Sequence, residues 1–351
     1  MARKAEVVGS RVGVVAQAPC RVDLAGGTVD IWPLYLFHPG AVTVNFGVNI
    51  LTRCRITPQK GRGIRLKSLD TGREDDFSSF DELCGAKKFD HALAGYLVKY
   101  FAPEGGFTME THSESPAGAG ISGSSAMMIA TTAALARFTE RDLGLEEIRV
   151  IAQNIEAQLI KVPTGCQDYY PALYGGVSAI HLTEDGIHRE GIAVPLEEID
   201  RRFVLAYTGA PRQSGINNWE VFKAHINGDR KVHRNFERIT EIARGMHEAL
   251  THADWEGVAR LLREEWKLRK TNAPGITTPL IEKLIATAMK NGGRAAKVCG
   301  AGGGGCVVFF VAEGARERVA DAIGKAGGKV LPFLVARDGL TVEAARLAAS
   351  R

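Results

Sequence analysis

Two glycine-rich segments, Pro116-Ala-Gly-Ala-Gly-Ile-Ser-Gly-Ser-Ser-Ala126 and Gly300-Ala-Gly-Gly-Gly-Gly305, lie far apart in the chain, and neither contains the lysine of a Walker A loop. Glycine lets consecutive backbone N–H groups converge on an anion without side-chain interference. The first segment runs directly into an apolar helical stretch, Ala126 to Phe138, whose N-terminus favours negative charge. Between the two segments stand Glu156, in a helical pattern, and Asp168, in Thr164-Gly-Cys-Gln-Asp-Tyr169. Two carboxylates suffice to hold a metal ion and to accept a proton, so the combination reads as phosphoryl transfer.

Gly118-Ala-Gly-Ile-Ser-Gly123 also satisfies the G-x-G-x-x-G spacing of dinucleotide-binding folds. That reading requires an apolar strand before the loop and an acid at the end of the next strand. Here the preceding Glu110-Thr-His-Ser-Glu-Ser115 is polar, and Glu140 and Asp142 fall in a connection between helices, so the dinucleotide reading is set aside. Each functional reading also has a plainer rival. Glu156 alone would be a solvated helix residue, Asp168 a turn or cap residue, and the second glycine run a hairpin turn. Four consecutive glycines exceed what a turn requires, and close approach to a ligand is the expectation.

The elements that must position these groups follow from periodicity. Val12 to Val15, Val42 to Ile50, Thr52 to Thr57 and Phe107 to His112 read as strands, the last feeding the first glycine loop. Ile148, Ile151, Ile155 and Leu159 recur at 3–4 spacing within Leu145 to Lys161, which places Glu156 at the edge of a buried helical face, pointing into a cleft. Gly175 to Ile180 reads as a return strand, and Pro195 to Arg202 as a boundary region. Beyond it, Phe203 to Tyr207 reads as a strand and helices follow at Asn217 to Ala224, His233 to Leu250, Trp255 to Lys270 and Thr278 to Asn291. Ala295 to Cys299 and Cys306 to Val311 read as two strands joined by the glycine run, with a last helix and strand from Ala315 to Leu334.

At 351 residues the chain could form two domains or one large one, with ample length for a substantial core. The net charge of +4 comes from interleaved acids and bases, which suits a small anionic substrate and leaves no basic run for nucleic acid. The longest apolar run, Ala126 to Ala136, is too short for a membrane span and reads as a buried helix. No secretory pattern follows Met1, and the six scattered cysteines show no zinc spacing, so a cytoplasmic protein with reduced thiols is expected. The histidines lack ligand spacing and are expected to be structural or exposed.

Three motifs in order, Ala18-Pro-Cys-Arg-Val-Asp-Leu-Ala-Gly-Gly27 with Asp30 after it, Pro116 to Ala126, and Lys297-Val-Cys-Gly-Ala-Gly-Gly-Gly-Gly305, resemble the GHMP kinases, the family of galactokinase, homoserine kinase, mevalonate kinase and phosphomevalonate kinase. Gln167-Asp168-Tyr169 and Tyr207-Thr-Gly-Ala-Pro-Arg212 are similar to the heptose 7-phosphate kinases and fucokinases of that family, while Val29 departs from the threonine usual there. The resemblance implies an α/β (α+β) fold of two domains, a ribosomal-protein-S5-like domain over 1–195 and a ferredoxin-like domain over 203–351. It implies ATP and Mg²⁺, with Pro116, Gly118, Ala119, Gly120, Ser122, Gly123, Ser124 and Ser125 around the nucleotide, and Ser124 and Glu156 on the metal. Asp168 would accept the proton of the attacking hydroxyl and Arg21 would lower its pKa or stabilise transition-state charge. Gly27, Asp30, Arg212, Gly302, Gly303 and Gly304 would face a sugar or sugar-phosphate acceptor, phosphorylated at a hydroxyl taken to be the anomeric one. Arg212 and Lys297 would be spare cations for a second phosphate. The alternatives are an isoprenoid kinase or decarboxylase of the mevalonate branch and a catalytically silent binding protein of the same fold. A monomer or homodimer is expected, with no nucleic-acid or membrane partner.

Overall fold

β-Branched and aromatic side chains favour pleated backbone, and the opening segments built on them form two long antiparallel strands, β1 (Gly13–Ala25) and β2 (Val42–Gln59). The computed structural model describes residues 12–211 and 216–345. After β2 come β3 (Ile64–Ser68), β4 (Glu74–Phe77), α1 (Phe80–Gly85), α2 (Ala92–Phe101), β5 (Gly106–Ser113), α3 (Gly123–Phe138), α4 (Leu145–Ile160) and α5 (Tyr169–Tyr174). A hairpin, β6 (Val177–Thr183) and β7 (Gly186–Gly191), precedes α6 (Leu196–Arg202) and β8 (Phe203–Tyr207). Four helices follow, α7 (Ile216–Ile226), α8 (Arg230–Thr251), α9 (Trp255–Arg269) and α10 (Pro279–Lys290). The chain then runs through β9 (Gly293–Val298), β10 (Cys306–Val311), α11 (Arg316–Ala326), β11 (Lys329–Leu331) and β12 (Thr341–Ala345).

The first sheet has the order β12-β1-β2-β5-β3-β4, with β6 and β7 joined to the other end of β2. The second has the order β11-β8-β10-β9. Every strand pair is antiparallel except β3 with β5. All strands of the second sheet come from 203–331, and β12 returns the chain to the first sheet beside β1. The result is the mixed α/β architecture expected.

β2 is one continuous strand where the sequence reads as two. Its register against β1 shifts between Pro19 and Cys20, leaving Asn49 and Ile50 outside the ladder. Such a bulge breaks the period-two pattern without ending the strand. The Ala126–Phe138 stretch is buried along nearly its whole length as α3, which packs on β1 and β2 on one side and on α2 and α4 on the other. Its run of Ala, Ser, Thr and Met gives the low bulk that such close layering requires. Among the described residues no helix is long and apolar enough to cross a membrane, and of the six cysteines only Cys84 is exposed.

A smaller apolar cluster gathers Val29, Ile31, Leu34 and Tyr35 against Val221, Val232 and Phe236. Beside it three imidazoles meet: His38 and His225 are buried, and His233, stacked on His225 at 3.8 Å between ring centroids, is half-buried. Burial and the two neighbouring imidazoles push His225 down to about 4, so it is neutral at pH 7.

Candidate functional site

The first glycine loop leaves β5 at Ser113 and enters α3 at Gly123. Gly118 and Gly120 take positive φ, and so does Ser122, at +60°, the residue that starts the helix. The loop therefore turns its backbone into the open end of α3, where N–H groups lack intrahelical partners. The Ser122 hydroxyl is buried there without a protein partner, an unmet polar group in an anion cradle. A cleft of about 580 Å³ opens over the loop, lined by Pro116, Gly118, Ala119, Gly120, Ser122, Gly123, Ser124 and Ser125. It also reaches Arg21, Asp30, Glu156 and Asp168.

The second glycine run joins β9 to β10, and Val298 pairs with Val307 across it. Its cleft-lining members are Gly300 and Ala301, not Gly302, Gly303 or Gly304. Close approach does explain these glycines, but the partner is protein backbone. A Cβ on Gly302 would sit 2.4 Å from the Ile276 carbonyl oxygen, and one on Gly305, at φ +76°, 2.7 Å from that of Ala119. Cys306 N–H donates to that same Ala119 oxygen at 2.6 Å, so one glycine loop is braced against the other.

Arg21 ties the three motifs together. Its Nε and Nη2 both donate to Oδ1 of Asp168, at 2.9 and 2.6 Å. Its Nη1 donates to the carbonyls of Gly120 at 2.9 Å and Cys299 at 2.7 Å. Burial works to lower the Arg21 pKa, but Asp168 and Asp23 outweigh it and hold it above its ordinary value. Asp168 stands at the start of α5, yet its side chain makes no capping bond; the ion pair has taken its place.

Glu156 projects from α4 and is 5% exposed. Ser124 Oγ donates to its Oε1 at 2.8 Å and the Tyr169 hydroxyl to its Oε2 at 2.6 Å. Burial nevertheless raises its pKa, with the hydrogen bonds offsetting only part. A buried carboxylate beside a serine hydroxyl, at the mouth of an anion cradle, is a hard oxygen set short of positive charge, and it suits Mg²⁺.

At the other end of the cleft Asp30 is 3% exposed. Thr28 N–H donates to its Oδ1 at 3.0 Å and Gln167 N–H to its Oδ2 at 2.9 Å. Burial, then the nearby Asp168 charge, push Asp30 up to about 7. Gly165 is fixed by this carboxyl, since a Cβ there would lie 2.1 Å from Oδ2. Gly27 does not line the cleft and packs against Asp23, Gln167 and Arg269.

Lys297 is not a spare cation. Its side chain is fully buried, and Nζ donates to Asp23 Oδ2 and Glu265 Oε1, both at 3.0 Å. Arg269 Nη1 donates to the same two oxygens, both at 3.1 Å, closing a network of two cations and two carboxylates. The reading failed because β9 is covered on both faces, by α9 and α10, so strand alternation gives Lys297 no outward side. Arg212 lies outside the described residues.

Sequence reasoning passed over Arg269, Thr28 and Asn218, which line the acceptor end of the cleft. Arg269 Nη2 donates to Thr28 Oγ1 at 3.2 Å, and Thr28 Oγ1 donates to Asn218 Oδ1 at 3.3 Å. One signal was available: Glu265 and Arg269 are four apart on the helix face that also carries Val258 and Leu262, and a charge pair on a buried face points inward.

Residues 87–176 match the family described as GHMP kinases N terminal domain, and residues 246–329 match GHMP kinases C terminal. The chain is 28% identical to a D-glycero-alpha-D-manno-heptose 7-phosphate kinase of Campylobacter jejuni, over 92% of this chain and 97% of that protein. It is 26% identical to a mevalonate kinase of Pyrococcus horikoshii, over 94% and 98%. Its fold is similar, at a TM-score of 0.75 and 24% identity, to a D-glycero-D-manno-heptose 1-phosphate kinase from Bacteriodes thetaiotaomicron, covering 95% of this chain and 100% of that one. Both GHMP kinase domains, N terminal and C terminal, are thus matched in order along this chain, on a fold similar to that of a solved kinase.

Proposed function

We propose that the protein transfers the terminal phosphoryl group of ATP to a hydroxyl of a sugar or sugar phosphate, the anomeric hydroxyl of a heptose 7-phosphate being the leading acceptor. The observation that carries this reading is the Arg21 guanidinium, which joins Asp168 to Gly120 of the first glycine loop and to Cys299 beside the second. A base held against the phosphate cradle is what hydroxyl phosphorylation needs. The heptose 7-phosphate kinase relative, matched over nearly its whole length, supports the acceptor class.

In this reading the N–H groups of 118–123 hold the phosphates and Asp168 Oδ2, which takes none of the Arg21 bonds, accepts the hydroxyl proton. Arg21, with both bonds on Oδ1, fixes the orientation of that carboxylate. Ser124 and Glu156 would hold Mg²⁺, which when bound neutralises charge on the phosphate oxygens. Asp30, Thr28 and Asn218 would meet the acceptor hydroxyls. The division into 1–195 and 203–351 belongs to the same reading, the first part supplying cradle and base.

Turnover of ATP against a panel of sugars and sugar phosphates tests it. A phosphorylated acceptor should be preferred at least about tenfold in kcat/KM, the value of a hydrogen bond to a charged group. With Lys297 sequestered, Arg212 is the proposed phosphate contact, and Arg212→Ala should remove most of that preference while sparing the neutral sugar. Better use of the neutral sugar by the wild type would overturn the heptose-phosphate assignment.

Glu156→Gln should raise the Mg²⁺ concentration for half-maximal activity, since a neutral amide is a poorer ligand for a hard cation. The Ser124 and Tyr169 donors would still meet the retained carbonyl oxygen in part, so the fold should survive. An unchanged Mg²⁺ dependence would remove Glu156 from the metal.

A further inference from the structure

His38 follows the short helical turn at Leu34–Phe37, His225 lies in the last turn of α7, and His233 lies in the first turn of α8. One ring nitrogen from each lies within 4.8 Å of the others. The Nε2 atoms of His38 and His225 are 2.7 Å apart, so a single hydrogen lies between them. His233 Nε2–H donates to the His225 carbonyl at 3.0 Å, which leaves the lone pair of His233 on Nδ1. A carbonyl that fixes the tautomer of one imidazole is the usual support of a metal-ligating histidine. Nδ1 of His38 and Nδ1 of His225 are both buried without a partner, so no second hydrogen bond pins either ring's tautomer and the proton between them is free to move to Nδ1. Phe236 stacks on His38 and meets His225 edge-on, while Phe37 lies tilted against His225.

We propose that His38, His225 and His233 form a binding site for one divalent transition-metal ion. Three neutral imidazoles select Zn²⁺ and its neighbours in the series over Mg²⁺, which prefers oxygen. Tetrahedral Zn²⁺ at its usual bond length holds two nitrogens roughly 3.3 Å apart, so the ion replaces the shared hydrogen after a small tilt of the His38 and His225 rings. That hydrogen passes to Nδ1 of its own ring, and a water molecule completes the coordination. The ion would tie α7 to α8 and to the turn after Phe37. Since α7 carries Asn218, which accepts from Thr28 at the cleft, the site would brace one wall of the acceptor pocket from outside it.

The test is Zn²⁺ binding to the full chain by equilibrium dialysis in excess Mg²⁺, followed by thermal melting with and without Zn²⁺. His233→Gln is the informative variant, because the amide still donates to the His225 carbonyl but offers no imidazole lone pair. His247→Ala removes the other histidine cluster, His181, Glu190 and His247, and serves as the control. The wild type and His247→Ala should bind one tight equivalent of Zn²⁺ and melt at higher temperature with it. In His233→Gln the affinity should fall at least tenfold and the melting shift should vanish, while the metal-free melting temperature stays near that of the wild type. The proposal is overturned if the wild type binds no Zn²⁺ above Mg²⁺, if His233→Gln binds it equally, or if His247→Ala is the variant that loses it.

Discussion

Asp168→Asn is expected to lower the rate of phosphoryl transfer by about 10²- to 10⁴-fold, the usual cost of losing a general base, with ATP affinity little changed. The geometry makes this a clean substitution. Both Arg21 bonds to Asp168 fall on Oδ1, which an asparagine retains, so the guanidinium keeps its hold on the side chain as well as on Gly120 and Cys299. What changes is the second oxygen, which becomes an amide unable to take a proton. Single-turnover phosphorylation of the acceptor, measured beside ATP binding, separates loss of chemistry from loss of the site. A variant that phosphorylates at close to the wild-type rate would assign the base elsewhere; one that binds neither ATP nor acceptor would show that the Arg21 clamp had collapsed.

Much of this site was legible before the fold was known, and the residues that were not share a physical reason. Glu156 could be placed because the apolar residues around it repeat at helical spacing, and one step beyond Ile155 falls at the cleft edge. The strand, glycine turn and strand from Gly293 to Val311 were legible because the short, mostly apolar stretch 295–299 and the Val/Phe run of 306–311 flank four consecutive glycines. The acceptor wall was different. Thr28, Asn218 and Arg269 are far apart in sequence and converge only because α7 and α9 fold back on the start of the chain. The histidine trio is hidden in the same way, since His38 has no sequence relation to His225 and His233. β12 is largely exposed and carries no core pattern, so only its pairing with β1 reveals it. Lys297 misled for the opposite reason: it sits in a recognisable motif, but its neighbours Ala296 and Val298 are buried too, and a strand covered on both faces offers a lysine only an interior.

The buried position of Lys297 leads to the second large effect. Lys297→Met should destabilise the fold by about 3–5 kcal/mol, because removing one member of a buried ion network leaves its partners uncompensated. Asp23 and Glu265 would then share the single Arg269 guanidinium inside the protein, where the charged forms have lost their water. Burial already acts to raise the Asp23 pKa, and it is Lys297 first and Arg269 second that hold it below its ordinary value. Methionine fills a similar volume, so the loss reports charge more than packing. Adding Glu265→Gln to Lys297→Met should recover part of the stability, since one carboxylate then matches one guanidinium, and a double-mutant cycle on denaturant unfolding measures that coupling. A loss within about 1 kcal/mol would mean that the network is far better hydrated than its burial indicates. The same variant also separates a structural cation from a substrate contact. If Lys297 serves only the network, Lys297→Met leaves the ratio of kcat/KM between phosphorylated and neutral acceptors where it was, whereas a collapse of that ratio would return Lys297 to the acceptor phosphate.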